Sequence, residues 1–408
     1  LGLLSNAQNQ SNNIRFQNIT VDDGLSMGTI TAFTQDHKGY IWIATAEGLH
    51  RYDGKSFKIF KHRESSRNSL SDSYITTLAT KGNTIYIGTN LGTIDILNTD
   101  SYVFSHIALN TQDANYDYPI EQLLLYQDRL IIDTDGGGLW EYFYSEKKIR
   151  KVQIAQLADT EIEAMMVHKD SLYLLTKNAL IATNLHKAKI IYETNEKYAF
   201  NALCAFNQSI LIGSKNGLFL LTDESRLHPI ELPPRKRYVK QINNIIQDGK
   251  RAWVGSDGGL MLLEEDLTVR LYRSNQLRPY SLVSDKVNHL FVDRDNIVWL
   301  GTISGVSKYA PQLSKFDLLQ YFDLDGITYG NNVYFTYEDQ NASIWLGTLG
   351  SGLVKLDANN NIERIYPKLG AGNSESESVR SILQDTKGTY WIGTPTEGLF
   401  IFDPKTGY

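Results

Sequence analysis

One short phrase recurs along this chain, and its repetition is the strongest constraint on the fold. The phrase reads SIWLGTLGSGLVKLD at 343–357 and TYWIGTPTEGLFIFD at 389–403, with looser copies at 297–309 and 40–53. Aligning the apolar residue that opens each copy gives nine units, which start at Ile30, Ile75, Ile120, Ile162, Phe200, Ile242, Val287, Val333 and Val379. Successive starts lie 38–46 residues apart, which is the length of a four-stranded propeller blade.

Each unit carries four short β patterns separated by turn residues. In the first unit they are ITAFTQD at 30–36, YIWIAT at 40–45, LHRYD at 49–53 and FKIF at 57–60. Runs this short, broken by Gly, Asp and Asn, are typical of strands and turns. No segment shows a helical stripe long enough for a main helix, so the sequence predicts an all-β chain.

Three residue types recur at fixed places in the units, and each has a predicted structural task. A glycine in the turn after the second strand is expected at positive φ, where a Cβ is unfavourable; it is Gly48, Gly92, Gly138, Gly217, Gly259, Gly305, Gly352 or Gly398. An aromatic residue of the second strand is expected to pack between blades; it is Trp42, Tyr86, Tyr173, Trp253, Trp299, Trp345 or Trp391. An aspartate ending the first strand is expected to cap the turn; it is Asp36, Asp248, Asp293, Asp339 or Asp385.

The segment IRFQNIT at 14–20 resembles the fourth strand of a unit, although it precedes the first unit. An outer strand supplied from the start of the chain would complete the last blade of a ring and hold the two ends together. Residues 14–312 are therefore predicted to form a seven-bladed propeller. KFDLLQY at 315–321 is predicted to be an outer strand that opens a second ring. Residues 313–408 would then hold the first two blades of an incomplete second propeller, and a single nine-bladed ring is the alternative.

Composition narrows the function classes. Apolar residues make up 42% of the 408 residues, which is enough for a large core, and a net charge of −6 does not favour nucleic-acid binding. Cys204 is the one cysteine, so no intrachain disulfide can form, and no apolar run is long enough to predict a membrane span. The opening LGLLSNA resembles the end of a secretory signal. Residues 1–13 are therefore predicted to be a signal-peptide remnant and flexible leader, with a plain disordered terminus as the alternative.

The pattern I..I..D..G.iWiGT..GL.ryD resembles the two-component regulator propeller repeat, as do NSLSDS at 68–73 and YSLVSD at 280–285 between units. The resemblance spans 15–408 and is weakest in units three to five, where Asp133 and Leu175 replace the glycine after the second strand. It implies the periplasmic sensor region of a Bacteroides-type hybrid two-component system. Family members commonly sense oligosaccharides released from glycans. Their membrane helix, histidine kinase and response regulator would follow downstream of this sequence.

No sequence pattern points to catalysis or to a cofactor. The eight histidines occur singly, outside metal-ligand spacing, and the Gly-rich DTDGGGLW at 133–140 has no helix after it to hold a phosphate. His289 falls in a first strand that would line the interior of the ring. We therefore predict no catalytic residue, no metal and no cofactor. A propeller enzyme such as a polysaccharide lyase is one alternative, and a scaffold that binds no small ligand is the other.

The candidate ligand site is on the loops that join consecutive blades. In a propeller these loops share one face with the turns between second and third strands, and here they carry cationic and aromatic side chains. The candidate residues are Arg63, Arg67, Arg235, Lys236, Arg237, Tyr238, Lys240, Arg273, Arg278 and Tyr280. Guanidinium groups bind carboxylates or sulfates in two-point fashion. We predict an anionic oligosaccharide as the ligand and a homodimer as the assembly, with a plain solvated loop set as the alternative.

Overall fold

The chain divides into two compact units, one of them Arg15–Pro311 and the other containing Gln312–Tyr408. The computed structural model describes residues 14–109, 118–154, 161–194, 198–222, 225–233, 241–275, 278, 280–311, 321–324, 327–330, 332–357, 362–369 and 377–406, with the backbone alone at 321–324 and 327–330. The predicted leader at 1–13 lies outside these residues.

The described part of Arg15–Pro311 is built from short antiparallel strands and one 3-10 turn at Val21–Asp23. In chain order the strands are β1 (Gln17–Ile19), β2 (Ile30–Gln35), β3 (Ile41–Thr45), β4 (Gly48–Tyr52), β5 (Phe57–Phe60), β6 (Ile75–Lys81), β7 (Thr84–Thr89), β8 (Thr93–Asn98), β9 (Phe104–Ala108), β10 (Ile120–Tyr126), β11 (Arg129–Thr134), β12 (Gly138–Phe143), β13 (Lys148–Lys151), β14 (Ala164–His168), β15 (Ser171–Leu175), β16 (Ala179–Thr183), β17 (Ala188–Glu193), β18 (Phe200–Phe206), β19 (Ser209–Ser214), β20 (Gly217–Leu221), β21 (Leu227–Pro229), β22 (Ile242–Asp248), β23 (Arg251–Ser256), β24 (Gly259–Leu263), β25 (Val269–Tyr272), β26 (Val287–Val292), β27 (Val298–Thr302) and β28 (Val306–Tyr309).

These strands form seven four-stranded sheets, which we call blades 1 to 7. Blades 1 to 6 are β2–β5, β6–β9, β10–β13, β14–β17, β18–β21 and β22–β25, and blade 7 is β26–β28 with β1. The first strand of each blade contacts the first strands of both neighbouring blades, and β26 contacts β2 again. The first strands therefore line the axis of a ring that closes after seven sheets, as a seven-bladed β-propeller does.

The ring closes through the predicted outer strand at the start of the chain. Strand β1 pairs antiparallel with β28, with Gln17 opposite Lys308 and Ile19 opposite Val306. Phe16, just before β1, is buried, and its backbone N–H donates to the carbonyl of Tyr280 at 3.0 Å. The start of the chain thus completes blade 7, and the ring is closed by the hydrogen bonds between β1 and β28.

The repeated turn glycines, together with Trp42 and Trp299, have the structural roles predicted for them. All eight repeated turn glycines have φ between +71° and +154°. Trp42 of blade 1 packs against Ile75 of blade 2, and Trp299 of blade 7 packs against Ile30 of blade 1. One sheet cannot bury both of its faces alone, so each apolar face is covered by the next blade.

The unit Gln312–Tyr408 contains the remaining described strands. They are β29 (Tyr321–Leu324), β30 (Ile327–Gly330), β31 (Val333–Glu338), β32 (Ile344–Thr348), β33 (Leu353–Leu356), β34 (Ile362–Tyr366), β35 (Ser381–Gln384), β36 (Tyr390–Gly393) and β37 (Leu399–Phe402). β29 and β30 form a two-stranded sheet, β31–β34 a four-stranded sheet and β35–β37 a three-stranded sheet. Trp345 is fully buried and packs against Val379 and Tyr390, so this pair of blade-like sheets also shares a core.

Three strands differ from the predicted boundaries or lie partly outside the described residues. Strands β14 and β35 begin at Ala164 and Ser381, two residues after the predicted starts at Ile162 and Val379. Ile162 and Val379 are nevertheless buried. The apolar residue that opens each of these units therefore lies in the core, just before the first residue that pairs in the strand. The predicted outer strand at 315–321 lies outside the described residues except for its last residue, Tyr321, which begins β29.

Candidate ligand-binding face

One face of the ring carries both the blade-joining loops and the turns between second and third strands. A recurring hydrogen bond places them side by side: the first N–H of the turn donates to the carbonyl of the last loop residue. This bond joins Asn90 to Tyr74 at 3.0 Å, Asp135 to Pro119 at 2.9 Å and Asp257 to Gln241 at 3.0 Å. We call this surface the loop face.

The blade-joining loops are anchored by a shared device. A buried leucine, which is Leu25, Leu70 or Leu282 in three of the loops, is followed by a residue that donates its N–H to a buried side chain. The three donor and acceptor pairs are Ser26 to His50 Nε2 at 3.1 Å, Ser71 to Asp95 Oδ2 at 2.7 Å and Val283 to Ser307 Oγ at 3.0 Å. Each acceptor is on the third strand of the blade that follows, so the loop is fixed to a rigid sheet.

Two of these acceptors have perturbed pKa values. Burial lowers the pKa of His50 to about 4, so its imidazole stays neutral and can accept the Ser26 N–H. Burial raises the pKa of Asp95, and hydrogen bonds from His106 and Ser71 oppose that effect. His106 Nδ1 lies 2.6 Å from Asp95 Oδ1, which ties the fourth strand of blade 2 to the same anchor.

Arg63 and Arg67 lie on the loop between blades 1 and 2, and both are exposed. The loop is held by Ser69, which is buried: its Oγ accepts the backbone N–H of Arg63 at 3.2 Å and donates to the carbonyl of Ser66 at 2.9 Å. Within the described residues, neither guanidinium makes an ion pair. These two cations therefore stand on a hydrogen-bonded loop and make no ion pair with a described residue.

Arg273 differs from this pair because its charge is matched within its own loop. Its Nε donates to Asp285 Oδ2 at 3.1 Å, and a terminal nitrogen contacts the same oxygen. The other carboxylate oxygen of Asp285 accepts the N–H of Ser274 at 2.7 Å. Arg273 thus closes the loop between blades 6 and 7, a role that the charge of the loop did not reveal.

The remaining candidates divide into two groups. Arg278 and Tyr280 are exposed on the loop between blades 6 and 7, where the N–H of Ser281 donates to the carbonyl of Arg278 at 2.9 Å. Arg235, Lys236, Arg237, Tyr238 and Lys240 lie outside the described residues. The described candidates do not form one cluster, since blades 7 and 1 separate the loop of Arg63 from the loop of Arg278.

The loop face also carries an acidic region that sequence reasoning did not predict. Asp133 is buried, with 3% of its surface exposed, and its Oδ2 accepts from Gln122 Nε2 at 3.3 Å. Burial and the nearby charge of Glu121 raise the pKa of Asp133 to about 8. Burial also raises the pKa values of Glu121 and Glu163. The signal in the sequence was the replacement of a repeat glycine by Asp133.

No three His, Cys, Asp or Glu side chains of the described residues are grouped to bind a metal ion. No helix in the described part of the chain has the length and apolar character needed to cross a bilayer.

Comparison with known proteins finds similarity to a regulator propeller family and to a histidine kinase. A family model for the two component regulator propeller matches residues 24–47 and 373–396. A curated relative, histidine kinase P4 of Formosa agariphila, is 36% identical over 62 residues, which are 15% of this chain and 4% of that kinase.

Solved structures share the fold at low sequence identity. An extracellular domain from B. thetaiotaomicron, described as part of a hybrid two-component system, is 19% identical with a TM-score of 0.75, covering 96% of this chain and 54% of its own. A second extracellular domain from that bacterium is 22% identical with a TM-score of 0.60, covering 96% and 53%. Virginiamycin B lyase from Staphylococcus aureus is 12% identical with a TM-score of 0.58, covering 72% and 98%. The chain spans about half the length of the two extracellular domains.

Proposed function

We propose that this chain is the periplasmic ligand-sensing part of a hybrid two-component sensor, a role supported by the match of residues 24–47 and 373–396 to the two component regulator propeller model. In this proposal it binds a glycan-derived oligosaccharide and passes the signal to a downstream histidine kinase. The short match to a histidine kinase and the fold shared with extracellular domains support this role. Binding and relay are then the tasks of this chain, and phosphoryl transfer belongs to the kinase.

The loop that carries Arg63 and Arg67 is the observation that favours an anionic ligand. Its backbone is held by the buried Ser69 hydroxyl, so the two guanidinium groups start from a fixed platform. A uronate or sulfate group would supply the charge-assisted hydrogen bonds that these guanidinium groups lack among their described neighbours. The loops with Arg278, Tyr280 and Arg235–Lys240 would extend the same surface around the ring.

To pass a signal to a kinase, the ligand must bind one conformation of the sensor more tightly than another. A ligand shifts a conformational equilibrium only if it binds one state more tightly than the other. We propose that the bound oligosaccharide favours one arrangement of a sensor homodimer. A membrane segment beyond this chain would carry that arrangement to the kinase.

Calorimetric titration tests the proposal with a panel of neutral, uronate-bearing and sulfated oligosaccharides. One acidic member should bind saturably, and its affinity should fall as salt rises. Arg63→Ala and Arg67→Ala should each weaken binding about 10-fold or more, the usual worth of a hydrogen bond to a charged group. Lys55→Ala is the matched control, because Lys55 is an exposed cation on a turn between third and fourth strands.

Two results would contradict the proposal. Unchanged affinity in both arginine variants would remove the anion site from this loop, and Arg235→Ala with Arg237→Ala would then test the other basic loop. Turnover of a polysaccharide by the purified chain would favour a propeller enzyme instead.

A further inference from the structure

The loop between blades 1 and 2, residues 61–73, is attached to blade 2 along its second half. The carbonyl oxygen of Arg67 lies 3.3 Å from His106 Nε2, and the N–H of Ser71 donates to Asp95 Oδ2 at 2.7 Å. Asp95 and His106 stand opposite each other on β8 and β9. One pair of side chains on blade 2 therefore contacts both ends of segment 67–71.

His106 uses both of its ring nitrogens in these contacts. Nδ1 lies 2.6 Å from Asp95 Oδ1, and Nε2 faces the carbonyl of Arg67. A carbonyl oxygen can only accept, so Nε2 must carry a hydrogen. In a neutral imidazole Nδ1 would then be an acceptor, and an ionised carboxylate beside it also only accepts. The arrangement therefore requires one more proton, between Nδ1 and Oδ1.

The need for this proton does not depend on which atom binds it. Burial raises the pKa of Asp95, and hydrogen bonds from His106 and Ser71 oppose that effect. With the proton on either side of the pair, Nε2–H remains free to donate to Arg67. Without the proton, the imidazole has one hydrogen for two acceptors. Asp95 is 0% exposed and cannot turn to water, so it takes that hydrogen, and the carbonyl of Arg67 loses its donor.

The pair can exchange this proton with water, because the His106 side chain is 35% exposed. Two elements pack against His106. Strand β8 brings Asp95, and the loop brings the carbonyl of Arg67. The charged and titratable side chains of the loop are Lys61, His62, Arg63, Glu64, Arg67 and Asp72.

We infer that Asp95 and His106 form a proton-dependent clamp that positions Arg67. With the shared proton the clamp is closed, and without it the peptide group of Arg67 is released. Asn68 stays attached, since its Oδ1 accepts the N–H of Phe104 at 2.8 Å and neither group titrates. Loss of the proton therefore changes the position of Arg67 and leaves the loop on blade 2.

The consequence for ligand binding rests on the anion site proposed for Arg63 and Arg67. An anion should bind more tightly when the clamp is closed, so its affinity should fall as pH rises. His106 is then a positioning residue, because it acts on the ligand through Arg67.

One NMR signal can report the clamp without any ligand. Arg67–Asn68 is the only Arg followed by Asn among the 408 residues. A chain labelled with ¹³C at the arginine carbonyls and with ¹⁵N in asparagine therefore gives a single signal from the peptide group that the clamp contacts. This signal should shift between about pH 6 and pH 9 as the pair loses its proton.

Two variants separate the proton from the contact. In Asp95→Asn the amide oxygen can still accept from Ser71, and the NH₂ group can donate to Nδ1 of a neutral imidazole, which leaves Nε2–H on Arg67. The clamp then stays closed with no proton to lose, so the signal should not change with pH. His106→Gln cannot gain a proton either and should give the same flat profile. If Asp95→Asn does not fold, His106→Gln on the surface provides the test.

His37→Gln is the matched control for both variants. His37 Nε2 also lies near a carboxylate, 3.3 Å from Asp100 Oδ1, but His37 is on the turn between β2 and β3. This variant should keep the pH profile of the parent chain.

Inorganic sulfate then tests the link to binding, because its charge is constant over this pH range. Titrations that follow the same signal should show an affinity about 5-fold lower at the alkaline end in the parent chain, the usual worth of one hydrogen bond. In Asp95→Asn the affinity should be equal at both ends. A pH-dependent signal with no response to sulfate would support the clamp and contradict the proposed anion site.

The inference is overturned if the Arg67–Asn68 signal of the parent chain does not change with pH, or if it changes equally in Asp95→Asn and His106→Gln. Sulfate binding with the same affinity at both ends of the range in the parent chain would also overturn it, while leaving the anion site in place.

Discussion

Blades 7 and 1 follow the repeat closely, whereas blades 3 to 5 depart from it, and the first strands of the two regions end in different hydrogen bonds. In blade 7, Asp293 Oδ2 accepts the indole N–H of Trp299 at 2.8 Å, and its Oδ1 accepts the N–H groups of Asp295 and Ile297 at 2.9 Å. In blade 3 the first strand ends instead at Tyr126, whose hydroxyl donates to the carbonyl of Asp170 in blade 4 at 3.0 Å. The Asp of the repeat therefore holds the turn of its own blade. Tyr126 instead joins its blade to the next one.

The second strands of blades 7 and 3 also differ where each blade packs against the next one. A Cβ on Gly301 of blade 7 would lie 2.8 Å from a methyl carbon of Ile30 in blade 1, so this place admits only glycine without adjustment. Blade 3 has Asp133 at the equivalent place, where Gln122 bridges it to blade 4 by accepting the N–H of Met165 at 3.0 Å. Blades 3 and 4 are thus joined by polar groups where blades 7 and 1 are joined by close apolar contact.

The largest effect should come from a turn glycine beside the closing strand. Gly305 has φ +136°, and a Cβ there would lie 2.5 Å from the carbonyl oxygen of Ile19 in β1. Gly305→Ala should lower the free energy of unfolding by about 3 kcal/mol, through backbone strain and overpacking. Urea denaturation of the variant measures the loss.

Gly217 of blade 5 is the matched control for this change. It has φ +154° at the same repeat position, but among the described residues no atom beyond its two chain neighbours lies within 4 Å of the place that a Cβ would take. Gly217→Ala should cost only about 1 kcal/mol of backbone strain. Equal losses in the two variants would mean that contact with β1 is unimportant at Gly305.

The aspartate cap of blade 7 should rank second. Asp293→Ala leaves the indole N–H of Trp299 and the backbone N–H groups of Asp295 and Ile297 without this acceptor, at a cost of about 2–3 kcal/mol. Asp293→Asn keeps an acceptor oxygen and should lose less. Tyr126→Phe in blade 3 removes one bond and should cost about 1 kcal/mol. A loss for Asp293→Ala no greater than that for Tyr126→Phe would contradict the assigned role of the cap.

Asp133→Asn should stabilise the chain, and the gain should grow with pH. The pKa of Asp133 in the folded chain is about 8, above its ordinary value of 3.8. A raised carboxyl pKa means that the folded state holds the proton more tightly, so this contribution is full below pH 3.8 and is lost as pH rises through 8. Asn cannot ionise, so the stability of the variant relative to the parent chain should rise steadily as pH rises from 4 to 8.

Melting temperatures of Asp133→Asn and the parent chain between pH 4 and 8 measure this difference. The two curves should converge at the acid end and separate steadily towards the alkaline end. A constant offset across the range would show that Asp133 is not protonated in the folded chain.

Sequence reasoning predicted the features that recur and missed those that depend on a partner. The blade period, the turn glycines and the closing strand were confirmed because each leaves the same residue type at the same spacing. The loop anchors His50, Asp95 and Ser307 were missed because three different residue types accept the same kind of N–H. The ion pair of Arg273 was not predicted because its partner, Asp285, stands twelve residues later in the same loop. Whether a charge is paired is decided by the fold, and composition cannot report it.

The smallest effects should come from Thr76 and Glu121, the second residues of the first strands of blades 2 and 3. Thr76 donates across the seam between blades 2 and 3, and Thr76→Val should lose about 1 kcal/mol of stability. Glu121 occupies the equivalent place in blade 3 and has no donor when ionised. Glu121→Gln supplies an amide N–H and removes a charge beside Asp133, so it should stabilise the chain by roughly 0.5–1 kcal/mol at neutral pH. Urea denaturation of both variants compares the seams directly. If Glu121→Gln gives no gain while Thr76→Val gives a loss, then the seam between blades 3 and 4 does not need a donor at Glu121, and the two regions of the ring differ in kind rather than in one missing donor.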